Sequence, residues 1–174
     1  YDMSDRVTSQ KDATESGNTT IRYDDTADGY TIVTVTDRVG AVTLYKYNSA
    51  KQLVCKTNPN GIEAKYEYDG NGNVIKKTDG LGKSVVNEYD ERNNLVSTTD
   101  KCGNKTLYEY DSKNNLKKVT YPNGGTITNN YNENNQLISS TGLHGELTIY
   151  VYNADNLVSY YICNGSETVY TYQN

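Results

Sequence analysis

One histidine, three cysteines and a recurring Asp-Gly-Asn type of turn are the residues of this 174-residue chain best suited to chemistry. His144 stands alone. A hydrolase triad or a zinc site needs partner groups presented beside it, whereas the equivalent places in other units hold Cys102, Leu81, Asn60 and Asn123. It reads as a turn residue. Asp69-Gly70-Asn71-Gly72-Asn73 opens like a calcium loop, but the EF-hand order then requires Gly and later a bidentate Glu, where Val74 and Gly80 stand. Cys55, Cys102 and Cys163 occupy unrelated positions of the repeat. Cys55 and Cys102 would lie four strand spacings apart, about 19 Å, far beyond the roughly 7 Å that a disulfide spans. The expected assignment is three free thiols, no catalytic residue, no cofactor and no metal ligand.

The elements that position these residues are dictated by an unusual composition. Only 34% of the chain is hydrophobic, with 18 Tyr and neither Phe nor Trp. Tyrosine must supply much of the apolar surface, and each ring carries a hydroxyl that needs water or a partner, which suits half-solvated layers better than a dry core. The net charge of -5 and the lack of a Lys/Arg cluster argue against nucleic acid as a partner. No apolar stretch reaches the roughly 18–20 residues that a membrane-spanning helix needs. The opening YDMSDRVTSQ lacks a signal peptide's basic and apolar runs and begins inside a repeat, as an excised fragment would.

The repeat is the dominant signal. Tyr47, Tyr68, Tyr89, Tyr110, Tyr131 and Tyr152 recur every 21 residues, each followed by Asp or Asn, as in Asp69, Asp90 and Asp111. Looser copies are Tyr1-Asp2, Tyr23-Asp24 and Tyr172-Gln173. Six residues after each tyrosine stand Leu53, Val74, Leu95, Leu116 and Leu137; fourteen after stand Gly61, Gly82, Gly103, Gly124 and Gly145. A second tyrosine precedes the pair at Tyr45, Tyr66, Tyr108, Tyr150 and Tyr170, and a threonine follows it at Thr57, Thr78, Thr99, Thr120 and Thr141. These repeat-defining positions are expected to be architectural.

Within a unit the period is two. Ile62, Ala64, Tyr66 and Tyr68 alternate with Glu63, Lys65 and Glu67, the pattern of a half-buried antiparallel strand. Asp69 can then bond backbone N–H groups two residues on, and Gly72, Asn93 and Asn114 stand where a positive φ is required. A return strand is expected from Val74 to Thr78, and Pro59 and Pro122 fall where a fixed φ helps the following turn. The expected fold is all-β: an antiparallel hairpin array in one continuous sheet of about 15 strands, on the order of 70 Å across at ~4.8 Å spacing. A sheet that wide should coil, with the Tyr and Leu positions on its concave face. The whole of 1–174 reads as one array, divergent over 1–44, regular over 45–152 and partial over 153–174.

The string YEYDGNGNVIKKTDG, followed by LGKSVVNEYDERNNLVSTTD, resembles the YD-repeat consensus of the Rhs family. The likeness is strongest from Tyr45 to Tyr152. It implies a spiralling β-sheet that forms a hollow shell, enclosing a toxin domain in many bacterial members, and a secreted or cell-surface location. The partners it implies are neighbouring YD repeats of a parent protein and an enclosed toxin domain. Bacterial members usually end their shell in a region with an Asp-Pro motif linked to self-cleavage; the two prolines here follow Asn58 and Tyr121, so that motif is missing from these residues. The alternative reading is a glycan-binding or adhesion module using exposed tyrosines, since aromatic rings stack on sugars and cage cations. An array cut from its parent also bares two sheet edges, and self-association through the edge strands is expected.

Overall fold

Turn residues punctuate this chain about every ten residues, and each interval is a strand. The computed structural model describes Ser4 and residues 6–11 and 18–171; Tyr1-Asp2 and Tyr172-Gln173 of the sequence frame lie outside them. No helix occurs among the described residues. Among the described residues, sixteen strands form one antiparallel sheet whose strand order is the chain order. Two compact units divide the chain, Tyr1–Val86 and Asn87–Asn174.

The first unit holds β1 (Ser9–Lys11), β2 (Asn18–Asp25), β3 (Thr31–Thr36), β4 (Val42–Tyr47), β5 (Leu53–Thr57), β6 (Glu63–Tyr68) and β7 (Val74–Thr78). The boundary falls inside β8 (Ser84–Tyr89). The second unit continues with β9 (Leu95–Thr99), β10 (Lys105–Tyr110), β11 (Leu116–Thr120), β12 (Thr126–Tyr131), β13 (Leu137–Thr141), β14 (Leu147–Tyr152), β15 (Val158–Cys163) and β16 (Ser166–Val169). The observed return strand β7 has the bounds that the sequence pattern predicts.

Two kinds of pairing alternate. Within a hairpin such as β6–β7, pairing runs to the YD end: Lys65↔Thr78, Tyr66↔Lys77, Glu67↔Lys76, then Tyr68↔Val74. The last step skips Ile75, so two residues of β7 oppose one of β6. That β-bulge recurs beside Tyr47, Tyr110, Tyr131 and Tyr152. A bulge turns both extra side chains toward one face and increases the local twist, which explains why Val74 and Ile75 are both half-buried. Between hairpins the ladder is shorter. β5 and β6 pair only at Cys55↔Lys65, Lys56↔Ala64 and Thr57↔Glu63, and β9–β10, β11–β12 and β13–β14 likewise stop after three pairs. Successive hairpins are therefore zipped at the glycine turns and open toward the YD turns.

This sheet has little interior. Among the described residues, Val119 at 7% exposure is the buried hydrophobic side chain and Ser97 at 2% the buried polar one. The YD strands instead alternate half-buried and exposed, as in Glu63–Tyr68 and Lys105–Tyr110. Cross-strand pairs then supply the stability, each worth about 0.2–1 kcal/mol. Glu67–Lys76 at 2.9 Å and Glu109–Lys118 at 3.1 Å are two such pairs on the face opposite the tyrosines. Ser97 donates to Glu88 Oε2 at 2.6 Å, and Lys105 reaches the same oxygen at 2.9 Å. The serine hydrogen bond first, and then Lys105, hold the Glu88 carboxyl below its ordinary value.

Candidate functional site

The residues that recur in the sequence come together as two rows of turns and one row of hydroxyl latches. At the YD turn, Asp69 Oδ1 accepts from the backbone N–H of Asn71 at 3.0 Å and of Asn73 at 2.9 Å. Gly72 N–H closes back on the Asp69 carbonyl at 3.2 Å. Asp90 and Asp111 repeat the arrangement with Arg92 and Asn94, and with Lys113 and Asn115. The residue fourth after the tyrosine then needs a left-handed backbone: Gly72 has φ 89°, Asn93 64°, Asn114 67°, Asn135 61° and Asn156 62°. Asn tolerates this region because its short side chain bonds locally, and Gly because it has no Cβ.

The opposite row uses the same turn. Asn58 Oδ1 accepts from Asn60 and Ile62, Asp79 from Leu81 and Lys83, and Asp100 from Cys102 and Asn104. The left-handed place belongs to glycine throughout: Gly61, Gly82, Gly103, Gly124 and Gly145 have φ between 77° and 86°. Pro59 precedes Asn60 at the second turn position, where φ near -65° is wanted. The sequence frame had assigned an Asx side chain to the YD turn only. The signal for the second was present, because Asn58, Asp79 and Asp100 each stand three residues before a repeat glycine.

The Asp turns carry a further clamp. Asn73, Asn94, Asn104 and Asn115 donate side-chain N–H groups to the second carboxylate oxygen of Asp69, Asp90, Asp100 and Asp111, at 2.9–3.0 Å. These bonds are the leading cause that holds the four carboxyls below the ordinary Asp value, with backbone N–H groups adding to it. In two of the turns that open with Asn the partner is Gln and the direction reverses: Asn48 donates to Gln52 and Asn132 to Gln136. The same partner residues reach the next turn along the row, Asn94 to Asn114 at 3.0 Å and Asn115 to Asn135 at 3.1 Å.

The YD tyrosines close the open wedge. Tyr68 donates its hydroxyl to the Leu53 carbonyl at 2.8 Å, Tyr110 to Leu95 at 3.1 Å, Tyr131 to Leu116 at 3.0 Å and Tyr152 to Leu137 at 2.9 Å. Each acceptor belongs to the strand before, at the level where the inter-hairpin ladder has already stopped. A backbone carbonyl with no ladder partner needs a donor, and the tyrosine supplies it. Burial pushes the hydroxyls of Tyr68, Tyr110 and Tyr152 above the ordinary tyrosine value. Leu53, Leu95, Leu116 and Leu137 thus act through their carbonyls as well as their side chains.

Three of the tyrosines two residues earlier, Tyr45, Tyr66 and Tyr150, meet side chains of their own hairpins. Lys56 Nζ lies 5.2 Å from the ring centroid of Tyr45 and Lys77 Nζ 5.6 Å from that of Tyr66. Tyr150 packs on Tyr161, and Tyr161 on Tyr170, with centroids 6.1 Å apart in both pairs. His144 is exposed in a turn where its own N–H donates to Glu146 Oε2 at 2.9 Å. Cys55, Cys102 and Cys163 are free thiols, and among the described residues no group of His, Cys, Asp and Glu could hold a metal ion. No helix among them is long and apolar enough to cross a membrane.

Comparison with known proteins agrees with this geometry. Residues 47–84 and 89–126 match the RHS Repeat family model. No curated protein matches the sequence. Among solved structures, the Photorhabdus luminescens Tc holotoxin pore aligns with a TM-score of 0.65 at 18% identity, covering 88% of this chain and 9% of that one. A TcdB2-TccC3-TEV crystal structure aligns over 88% of this chain and 14% of its own, at 9% identity and a TM-score of 0.28. The likeness of fold rests on the first, and this chain spans only about a tenth of its length.

Proposed function

We propose that this chain, an array of Rhs repeats, is a wall segment of a hollow β-shell that belongs to a larger secreted or surface protein and encloses a toxin or effector domain. The observation that carries the reading is the way polar groups at the open edge are spent on neighbouring repeats. Tyrosine hydroxyls bond the preceding hairpin, and Asn94 and Asn115 bond the following turn. Such nearest-neighbour bonding builds a wall that extends one repeat at a time. The fold shared with a Tc holotoxin chain about ten times longer supports the same role. General adhesion through tyrosine rings is less economical, because Lys77 and Lys56 already lie over two of those rings.

Limited proteolysis of the full-length protein tests this. A closed wall keeps an enclosed domain resistant, and deletion of residues 89–130, two repeats long, makes that domain sensitive. Equal digestion of the domain in both proteins would contradict the enclosing role while leaving the repeat fold intact.

A further inference from the structure

Four Asn-Gly pairs occur in this chain: Asn60-Gly61, Asn71-Gly72, Asn123-Gly124 and Asn164-Gly165. In such a pair the glycine nitrogen can attack the preceding side-chain amide, because glycine has no Cβ to hinder the approach. The attack needs an N–H that is free to give up its proton. In three of the pairs that N–H closes the turn: Gly61 donates to the Asn58 carbonyl at 2.9 Å, Gly72 to Asp69 at 3.2 Å and Gly124 to Tyr121 at 2.9 Å. The fourth pair differs. Its hairpin has a two-residue loop closed by Cys163↔Ser166, with φ 48° at Asn164 and 82° at Gly165. Two positive φ values in succession mark a type I′ turn, in which the ladder closes beyond the glycine. Among the described residues the Gly165 N–H has no hydrogen-bond partner, and neither has the Asn164 side-chain amide. Both residues are exposed. Asn123, by contrast, has its side-chain oxygen held by the Gly125 N–H at 3.0 Å.

Attack also requires the asparagine backbone to rotate out of its turn conformation. At Asn164 that rotation disturbs little: β16 has four residues, all exposed, and among the described residues it pairs with β15 alone. The turns at Asn60, Asn71 and Asn123 join strands that are paired on both sides. A short exposed strand opens at lower free energy than strands inside a sheet.

We propose that Asn164-Gly165 is a self-modifying site, which converts to aspartate and isoaspartate without an enzyme and thereby uncouples β16. Hydroxide removes the Gly165 N–H proton, and the nitrogen attacks Asn164 Cγ. The N–Cγ bond forms, the Cγ–Nδ2 bond breaks, and Nδ2 takes a proton from water and leaves as ammonia. Water then opens the cyclic imide. Addition at Cγ breaks the new N–Cγ bond and gives aspartate; addition at the main-chain carbonyl of residue 164 breaks the original peptide bond and gives isoaspartate. Isoaspartate routes the main chain through Cβ and Cγ, adding a methylene that a two-residue type I′ turn has no room for, so the Cys163↔Ser166 register is lost. Aspartate fits the same turn.

Incubation of the intact chain in mildly alkaline buffer, with peptide mapping by mass spectrometry at intervals, tests this. In the folded chain the amide-to-acid exchange is expected at Asn164 about fivefold or more faster than at Asn60, Asn71 or Asn123, the factor for the one net hydrogen bond that each of those pairs must first release. In concentrated urea, where all four turns are open, the four rates are expected to converge. Chains carrying isoaspartate at position 164, separated by ion exchange, should lose hydrogen-exchange protection over residues 166–169. Asn164→Asp supplies the same charge without the extra methylene and should keep that protection. Equal rates at the four pairs in the folded chain, a lead for Asn164 that persists in urea, unchanged protection in the isoaspartate chains, or equal loosening by Asn164→Asp would each overturn the proposal. None of these outcomes bears on the wall assignment, whose test is the protection of an enclosed domain.

Discussion

Replacing Tyr110 with Phe removes one oxygen atom, and the structure predicts a loss larger than that change suggests. The hydroxyl donates to the Leu95 carbonyl at 3.1 Å, at a level where β9 and β10 no longer pair. A net hydrogen bond is worth about 0.5–1.5 kcal/mol, and leaving a half-buried acceptor without a donor adds toward about 1–3 kcal/mol. The expected loss is about 1.5 kcal/mol, or about 3–6 °C in melting temperature for a chain of this size. Tyr131→Phe should lose less, about 0.5–1 kcal/mol, because Asn129 Nδ2 also donates to the Leu116 carbonyl at 3.0 Å. Removing both donors with Tyr131→Phe and Asn129→Ala should restore the full loss. Tyr108→Phe is the control: its hydroxyl makes no hydrogen bond among the described residues, and its effect should stay within about 0.5 kcal/mol. Urea denaturation followed by circular dichroism gives the stabilities, and hydrogen exchange locates the loosening between β9 and β10. Equal losses for Tyr110→Phe and Tyr108→Phe, or for Tyr110→Phe and Tyr131→Phe, would refute the latch.

The turn rows make opposite predictions for two substitutions at left-handed residues. Gly103→Ala, at φ 86° with open space around the new Cβ, should cost about 1–2 kcal/mol through backbone strain alone, while Lys51→Gly should raise stability by up to about 1 kcal/mol; calorimetry that showed both changes neutral would contradict the strain argument. Asp69, Asp90 and Asp111 have folded-state carboxyl values below the ordinary one, so their contribution is complete above about pH 3.9 and is lost as pH falls through the lowered values. The urea midpoint should drop below about pH 4, and a combined Asp69→Asn, Asp90→Asn and Asp111→Asn variant should flatten that drop; an unchanged slope would argue against the clamps. β16 ends the strand order with all four of its residues exposed, and an unpaired edge templates further pairing. Light scattering should show concentration-dependent association that Val169→Lys reduces, whereas a strict monomer at high concentration would count against it.

Hairpin number, strand bounds and turn conformations were legible because they depend on local chemistry. Gly72, Asn93 and Asn114 announce a positive φ by residue type alone, and alternation from Glu63 to Tyr68 announces a half-buried strand. The bulge was harder to read, since a period of two says nothing of where a ladder skips. A pair of adjacent apolar residues marks it at Leu53-Val54, Val74-Ile75 and Leu137-Ile138, but Leu116-Lys117 and Val158-Ser159 carry the same skip without one. The tyrosine latch was not legible at all. Its acceptor is a backbone carbonyl fifteen residues earlier, made available by a shortened ladder that no side chain advertises. Lys51 is an exception that only the backbone shows, since at φ 62° it takes the place that Gly or Asn holds in the other regular YD turns.

A cryo-EM map of the full-length protein that contains this chain would test the central claim most directly. The account predicts these strands within a continuous wall, the hydroxyls of Tyr68, Tyr110, Tyr131 and Tyr152 against the carbonyls fifteen residues before them, and a cavity on one side that holds a separate domain. Separated hairpins, or a wall whose YD hydroxyls face solvent across unbroken ladders, would contradict it.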